Sequence, residues 1–440
     1  MTVSDTVTGM VPGSVKERIN PLYLRYRGLR ANRRHQPVAT VSNRTAAAPH
    51  VLLVVIDALR LDATPDLPFA WAPTVAPSTW TFPSITSMHT GRYPHEHGAI
   101  AHTRADDATY AMPTQATGPV IPHAFERRGF ETYAGMGFLT PFLAVQDWYQ
   151  HHRVFPDVRA ERVLDAYEQW REGRERTFAY LHLGDLHAPL NPPTSYVEAA
   201  GVDTSLPNLP RLAEYTDDFE DTEACRYYKS QRLALYHAAA SYLEDVLAGP
   251  LPALADETII MVTGDHGEAH WEHVDVDRRM TDSRPNYGVG PGGTPLDAVA
   301  RVPAAVSTPT GDVKISKGTP SLRDVPRTLL ELTFDEGVCD VPGHSWRDPI
   351  PAANVAVCEA PRYGVERKAA YRGSEKVIES RADGVALGAF VEEFTPGDQF
   401  GSLDRARVEE LCEVFEWAET GEQVETGQYV REQLEALGYT

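Results

Sequence analysis

A three-layer α/β/α sandwich around a mostly parallel central sheet, with a small C-terminal α+β lobe, is the fold this sequence predicts. Three observations carry that expectation. Residues 50–56, 177–183 and 258–262 are nearly continuous apolar runs of strand length, the pattern of strands buried on both faces. Each run leads into acidic or imidazole groups (Asp57; Asp185 and His187; Asp265 and His266) at the strand end where open α/β sheets bind ligands. Helical stretches at 120–128, 160–173 and 227–248 alternate with the strands, so helices should cover both faces of the sheet.

In chain order, residues 1–14 are mostly small and polar, and disorder is the expectation there. Residues 19–34 read as a basic amphipathic helix, with Arg25, Arg27, Arg30, Arg33 and Arg34 set among Leu22, Tyr23, Leu24 and Leu29. The favoured expectation is that it packs on the acidic body of its own chain or of a second copy. Contact with an anionic membrane surface or an acidic partner is the other. Residues 36–49 read as a linker. In 78–98, Pro83 fits the first turn of a helix and Gly91 its stop, which puts Thr81 just before a helix N-terminus. The plain role for Thr81 there is an N-cap; the chemical one is a hydroxyl at an anion-binding end. A strand is expected at 131–134. The Gly/Pro-rich stretch 283–295 reads as a loop on the ligand side, and its glycine run, interrupted by Pro291, does not make a nucleotide loop. Then come a strand at 302–306, a helix at 322–332, a small antiparallel sheet from 355–358, 369–372 and 376–379, and acidic helices at 408–418 and 430–437. The expected domains are an N-terminal basic segment and linker (1–47), a large α/β domain (48–350) and the C-terminal lobe (351–440).

The 440 residues carry a net charge of −21, which makes nucleic acid an unsuitable partner. Lysine supplies only 6 of the 41 basic residues, and an acidic, lysine-poor surface leads to the expectation of a salty, halophilic setting. Cys225, Cys339, Cys358 and Cys412 are scattered with no CxxC, so buried free thiols are expected rather than a zinc knuckle, although Cys339 and Cys358 could pair. With no secretory apolar region at the N-terminus and no apolar run near ~20 residues, the expected location is the cytoplasm.

Three segments together carry a resemblance: VLLVVIDALR (51–60), STWTFPSITSMHTGRYPHEHG (78–98) and IIMVTGDHGE (259–268). In this order they resemble the sulfatase branch of the alkaline phosphatase superfamily. There a strand ends in a metal-binding Asp, a nucleophile motif opens a helix with a T-G-x-Y-P…H-G tail, and a late strand ends in D-H-G. FAYLHLGDLHAPLNPP (178–193) extends the likeness, which spans roughly 50–376. It implies an alkaline phosphatase-like fold with Asp57, Asp265 and His266 as ligands of one divalent ion (Mn, Zn, Ca or Mg). It further implies Thr81 as nucleophile and His187 as a substrate-contacting or leaving-group acid.

The chain departs from that pattern in two places. Formylglycine sulfatases open with paired acids, where this chain has Asp57-Ala58, and their motif arginine is Ile85 here. Threonine cannot become an aldehyde, so the resemblance implies the single-metal, phospho-threonine arrangement of lipoteichoic acid synthases and phosphoethanolamine transferases. Arg60, His270 and His273 are candidate contacts for the substrate anion, with structural pairing to Asp57 the favoured reading for Arg60. His95 and His97 belong to a tail that is structural in the family. A second metal would need Asp185 and His187. The functional expectation is a metal-dependent hydrolase or transferase of phosphate or sulfate esters, acting on an anionic ester such as a polysaccharide or envelope-polymer precursor. The alternative is an eroded relative that binds an anionic glycan or a partner enzyme.

Overall fold

A computed structural model describes residues 13–41, 45–100, 113–211, 221–282, 288–316, 318–334 and 341–417. Among the described residues, ten strands precede the C-terminal lobe: β1 (His50–Ile56), β2 (Ala72–Val75), β3 (Glu131–Met136), β4 (His151–Val154), β5 (Thr177–Leu183), β6 (Thr258–Gly264), β7 (Ala269–His270), β8 (Val289–Gly290), β9 (Arg301–Thr308) and β10 (Gly311–Val313). The main sheet runs β10-β9-β6-β1-β5-β3-β4, with β2 also paired to β9. The five strands from β4 to β6 are parallel; β9, expected at 302–306, joins antiparallel to β6 and carries β2 and β10 antiparallel to itself.

Alternation along β1 divides the core. Val51, Leu53 and Val55 pack on one face with Ile85 and Met88 of α2 (Thr81–Thr90), while Leu52, Val54 and Ile56 pack on the other with Leu235 and Leu243 of the helix Glu223–Ala248. Phe178 and Tyr180 of β5, and Ile259 and Met261 of β6, belong to the α2 face. Continued past Ile56 and Gly264, the same alternation aims Asp57 and Asp265 at α2. Register sets them level, since Ile56 lies opposite both Leu183 and Gly264.

The lobe is a five-stranded antiparallel sheet, β11 (Ala356–Cys358), β12 (Lys368–Arg372), β13 (Glu375–Ser380), β14 (Val385–Phe390) and β15 (Gln399–Phe400), followed by a helix at Arg405–Cys412. Two of its strands were not expected, because Val385–Phe390 mixes small and apolar residues without clear alternation and Gln399–Phe400 is only two residues long. The lobe braces the approach to α2: Ser78 Oγ and Trp80 Nε1 both donate to the Ala360 carbonyl, at 3.1 and 3.0 Å.

Other expectations shift in detail. The helix at 322–332 is a 3-10 turn, Leu322–Asp324, that runs into Val325–Phe334. Part of the 283–295 loop is β8, paired with β7; residues 283–287, Cys339 and the stretch 430–437 lie outside the described residues. Cys225, Cys358 and Cys412 are free thiols. The basic helix is α1 (Gly13–Arg34), and it packs on β4 of its own chain: Leu24 and Ala31 are buried, and Asn32 Oδ1 accepts the His152 N–H at 2.7 Å. Among the described residues no helix is long and apolar enough to cross a membrane.

Candidate active site

Thr81 is the first residue of α2, not its cap. Trp80 occupies the cap position with extended backbone and no side-chain capping bond. The Thr81 hydroxyl, relieved of any capping role, points across to the strand ends. It donates to Asp57 Oδ2 at 3.0 Å and lies 3.2 Å from His266 Nε2. Because Pro83 has no N–H, the first-turn donors left without intrahelical partners are those of Thr81 and Phe82, beside that hydroxyl. Gly91, in the left-handed region at φ 74°, ends the helix as its sequence position predicts.

Asp265 is held by its own turn. Its Oδ1 accepts the backbone N–H groups of His266 (2.9 Å) and Ala58 (3.3 Å). Ala58 turns the chain sharply after Asp57 at φ 57°, and its carbonyl accepts the Tyr236 hydroxyl at 2.7 Å. Gly267 is glycine because of space: a Cβ there would meet the Ala298 carbonyl oxygen at 2.1 Å. Neither Gly264 nor Gly267 adopts a positive φ, so close approach rather than tight turning accounts for both. His266 Nδ1 lies 2.9 Å from the Gly267 carbonyl, a bond that only an Nδ1–H can make. Neutral His266 therefore presents a bare Nε2.

Sequence reasoning missed His182. Its Nε2 lies 3.0 Å from Asp57 Oδ2 and its Nδ1 2.7 Å from the Tyr180 hydroxyl. Bonding to a carboxylate makes Nε2 the donor, so Nδ1 accepts from Tyr180 and the tautomer is fixed. The signal was a histidine inside an otherwise apolar strand, on the same face as Tyr180 and Asp57.

Three atoms thus converge that can each offer a lone pair: Asp57 Oδ1, Asp265 Oδ2 and, in neutral His266, Nε2. The two carboxylate oxygens are buried with no hydrogen-bond partner, and ligand atoms of the three residues lie within 4.8 Å of one another. Burial would raise the Asp57 carboxyl, but the nearby His187, the His182 bond and His266 outweigh it and hold Asp57 below the usual carboxylate range. Asp265 bears the complementary burden, pushed up to about 6 by burial and by the Asp57 charge. Burial lowers His266, yet the Asp265 and Asp57 charges more than offset it and raise the imidazole. Buried acceptors of this kind fit a divalent cation, which would satisfy all three at once.

His187 sits on the open side. It is partly exposed, its ring lies 4.7 Å from that of Phe138, and burial lowers its basicity against the pull of Asp57 and Asp157. Asp185 does not join it in a second metal group. Its Oδ1 accepts the Ala160 N–H at 3.2 Å, and burial pushes its carboxyl up to about 7.

The three proposed anion contacts lie elsewhere. Arg60 is bidentate to Asp62 (2.9 and 2.8 Å) and also donates to Glu272 Oε1 and the Glu268 carbonyl, both at 2.6 Å. Its donors are engaged, and the structural pairing expected for it is with Asp62 and Glu272 rather than with Asp57. His270 is fully buried beside Glu268 and Tyr236, and burial with Arg60 and Arg232 drives its basicity well below the ordinary value, so it carries no charge for an anion. His273 faces the C-terminal lobe, where Nε2 accepts the Asp398 N–H at 3.3 Å. His95 binds Glu359 Oε1 at 2.7 Å and His97 the Ser87 hydroxyl at 3.0 Å, both structural contacts.

The family model described as Sulfatase matches residues 68–335, more than half of the chain. The chain belongs to the sulfatase family. The match is narrower than the 50–376 span of the motif resemblance and leaves Asp57 outside it. Solved structures agree on the fold of this sulfatase-family chain. A protein in complex with its substrate D-glucosamine-2-N,6-O-disulfate aligns at TM-score 0.58 and 14% identity, over 78% of this chain and 91% of its own. The phosphonate monoester hydrolase from Silicibacter pomeroyi aligns at 0.55 and 15%, over 83% and 93%. The phosphonate monoester hydrolase of Agrobacterium radiobacter aligns at 0.50 and 13%, over 79% and 91%. No curated protein sequence matches. A sulfatase-family chain of this kind is an ester hydrolase or transferase.

Proposed function

We propose that this sulfatase-family chain is a metal-dependent hydrolase or transferase of phosphate or sulfate esters that uses Thr81 as its nucleophile. The observation that carries this is the Thr81 hydroxyl at the start of α2, bonded to Asp57 and facing the bare His266 Nε2. Asp57, Asp265 and His266 would hold one divalent cation, and when bound it lowers the pKa of the neighbouring hydroxyl and offsets charge on the ester oxygens. Thr81 Oγ1 forms the new bond to phosphorus or sulfur as the bond to the leaving oxygen breaks. Its proton passes to Asp57 Oδ2, to which it is already bonded. The free N–H groups of Thr81 and Phe82 face the charge that develops on the transferred group. His187, on the open side, donates to the leaving oxygen or contacts the oxyanion. Water or an acceptor alcohol then attacks the Thr81 ester and restores the hydroxyl. The proposed substrate is an anionic ester of the polysaccharide or envelope-polymer type, in keeping with relatives solved as a glucosamine disulfate complex and as phosphonate monoester hydrolases.

The test is a panel of aryl phosphate, phosphodiester and sulfate esters, run on wild type and Thr81→Ala with added Mn²⁺, Zn²⁺, Ca²⁺ or Mg²⁺. Quenched turnovers are digested and weighed. Turnover lost in Thr81→Ala, with one phosphoryl or sulfuryl group on the Thr81 peptide of wild type, supports the proposal. Equal turnover by Thr81→Ala, or a group carried on another residue, sinks it.

A further inference from the structure

The outer face of α1 remains unexplained once its inner face is docked. At about 100° per residue, Leu22, Tyr26, Leu29 and Arg33 share one side of the helix, with Arg25 and Arg30 on its flanks. Leu22, Tyr26 and Leu29 are 68%, 54% and 48% exposed, three of the few large apolar side chains the described residues leave in water. The inner side is committed: Gly28 lies so close to β4 that a Cβ would meet the His152 carbonyl oxygen at 3.0 Å. The arginines are as unusual as the leucines. Exposed arginines elsewhere have acids to hold, such as Arg226 with Asp221 and Arg405 with Glu409. Among the described residues, no ion pair engages Arg25, Arg30, Arg33 or Arg34, although the chain carries a net charge of −21. Beside this face an open cavity of about 160 Å³ is lined by Tyr26, Arg27, Arg30 and Arg34 with one acid, Asp147. Arg27 is held by Tyr23 and Gln146, and three arginines against one carboxylate leave the seat net cationic.

We propose that the outer face of α1 docks the protein on an anionic membrane surface. Apolar side chains flanked by arginines are the composition of an interfacial helix. The leucines and tyrosine enter the headgroup boundary, the arginines reach lipid phosphates from either side, and the cavity receives one such phosphate. Charge complementarity favours this occupant: an anionic surface repels most of this acidic chain and attracts α1. It also fixes orientation. α1 rests on the edge strand β4, three strands from β1, so docking leaves the strand ends that carry Asp57 and Asp265 about 14 Å or more from the contact. The inference does not depend on the role given to Thr81.

The experiment is vesicle flotation of the full chain, with phosphatidylcholine alone and with about one third phosphatidylglycerol, at an ionic strength near 0.1 M where the screening length is about 10 Å. The expected result is capture by the anionic vesicles at least tenfold above the neutral ones. Arg30→Glu with Arg33→Glu should cut capture by fivefold or more per arginine, and Leu22→Asp with Leu29→Asp by at least tenfold. All these side chains are exposed, so melting temperature should not move in either pair. No capture by anionic vesicles, equal capture by both, or capture indifferent to both variants overturns the proposal. So does a wild-type dimer that Leu22→Asp with Leu29→Asp turns into a monomer, which would make the face a contact between copies. Retention on polyglutamate as strong as on vesicles and insensitive to the leucine changes also overturns it, in favour of an acidic protein segment.

Discussion

Two buried polar clusters grow out of the same short turn, and they are opposites. On the α2 side, Asp57, Asp265 and His266 bring two carboxylates and an imidazole together with no lysine or arginine among them, and leave two carboxylate oxygens unpartnered. On the other side, Glu268 and His270 sit with Arg60 and Arg232, and Arg60 is itself closed by Asp62 and Glu272. The first cluster carries an excess of negative charge, which fits the cation proposed for it. The second also leaves Glu268 Oε2 and both His270 ring nitrogens without hydrogen-bond partners, but its carboxylates face the Arg60 and Arg232 guanidiniums, so its charges are offset by its own side chains. A buried polar group marks chemistry only when its charges do not close on themselves.

The largest effect that could break this contrast is on turnover. Thr81→Ala should lower kcat/KM by about 10³ or more, while melting temperature stays within a few degrees, because Thr81 caps nothing. A variant that loses stability instead would move Thr81 into the structural cluster. Next is Arg60→Leu, which strands Asp62 and Glu272. It should destabilise by about 3–5 kcal/mol in denaturant titration, while metal content per folded molecule holds. Metal lost in step with Arg60 would merge the two clusters into one. Smaller is Asp265→Asn, which removes one of two carboxylates that resist each other. Metal-free protein should gain on the order of 1 kcal/mol, whereas protein with metal should lose its ion and its metal-dependent rise in melting temperature. A loss of stability in the metal-free variant would show that the cluster is satisfied without a cation.

The smallest effect concerns the support beneath α2. Burial lowers His89 to about 4 and His97 to about 3, with the Ile85 carbonyl opposing the shift at His89 and Arg92 adding to it at His97. Both folded values lie below the ordinary 6.5, so the unfolded chain takes up protons first. The stability these groups contribute is complete above pH 6.5 and drains away as pH falls toward 4. His97→Asn should flatten that slope in melting curves taken from pH 7 to 4. A slope unchanged in the variant would place the acid-sensitive groups elsewhere.

Much of the site was legible before any coordinates. The runs at 50–56 and 177–183 became strands with those bounds, and the acids at the ends of β1 and β6 meet because parallel register sets those ends level. Short motifs with fixed spacing survive in sequence because each is local to one strand end or one helix start. His182 was illegible for the opposite reason: its partner Asp57 is 125 residues away, and only the pairing of β1 with β5 puts them on one face. The surroundings of Arg60, His270 and His273 were illegible for the same reason. Their chemistry suited an anion, but their partners Glu272, Glu268 and Asp398 are chosen by packing.

By itself, then, the sequence determined the alternation of strands and helices, the acidic strand ends, the glycine stop at Gly91 and the unusual arginines of α1. Each of these is written in periodicity or in a single residue's backbone preference. The tertiary structure decided that Thr81 opens α2 rather than capping it, that the GDHGEAH turn faces two clusters at once, and which charges close on each other. Those outcomes depend on which atoms lie within about 3 Å across elements far apart in the chain, and local preference carries no record of that distance.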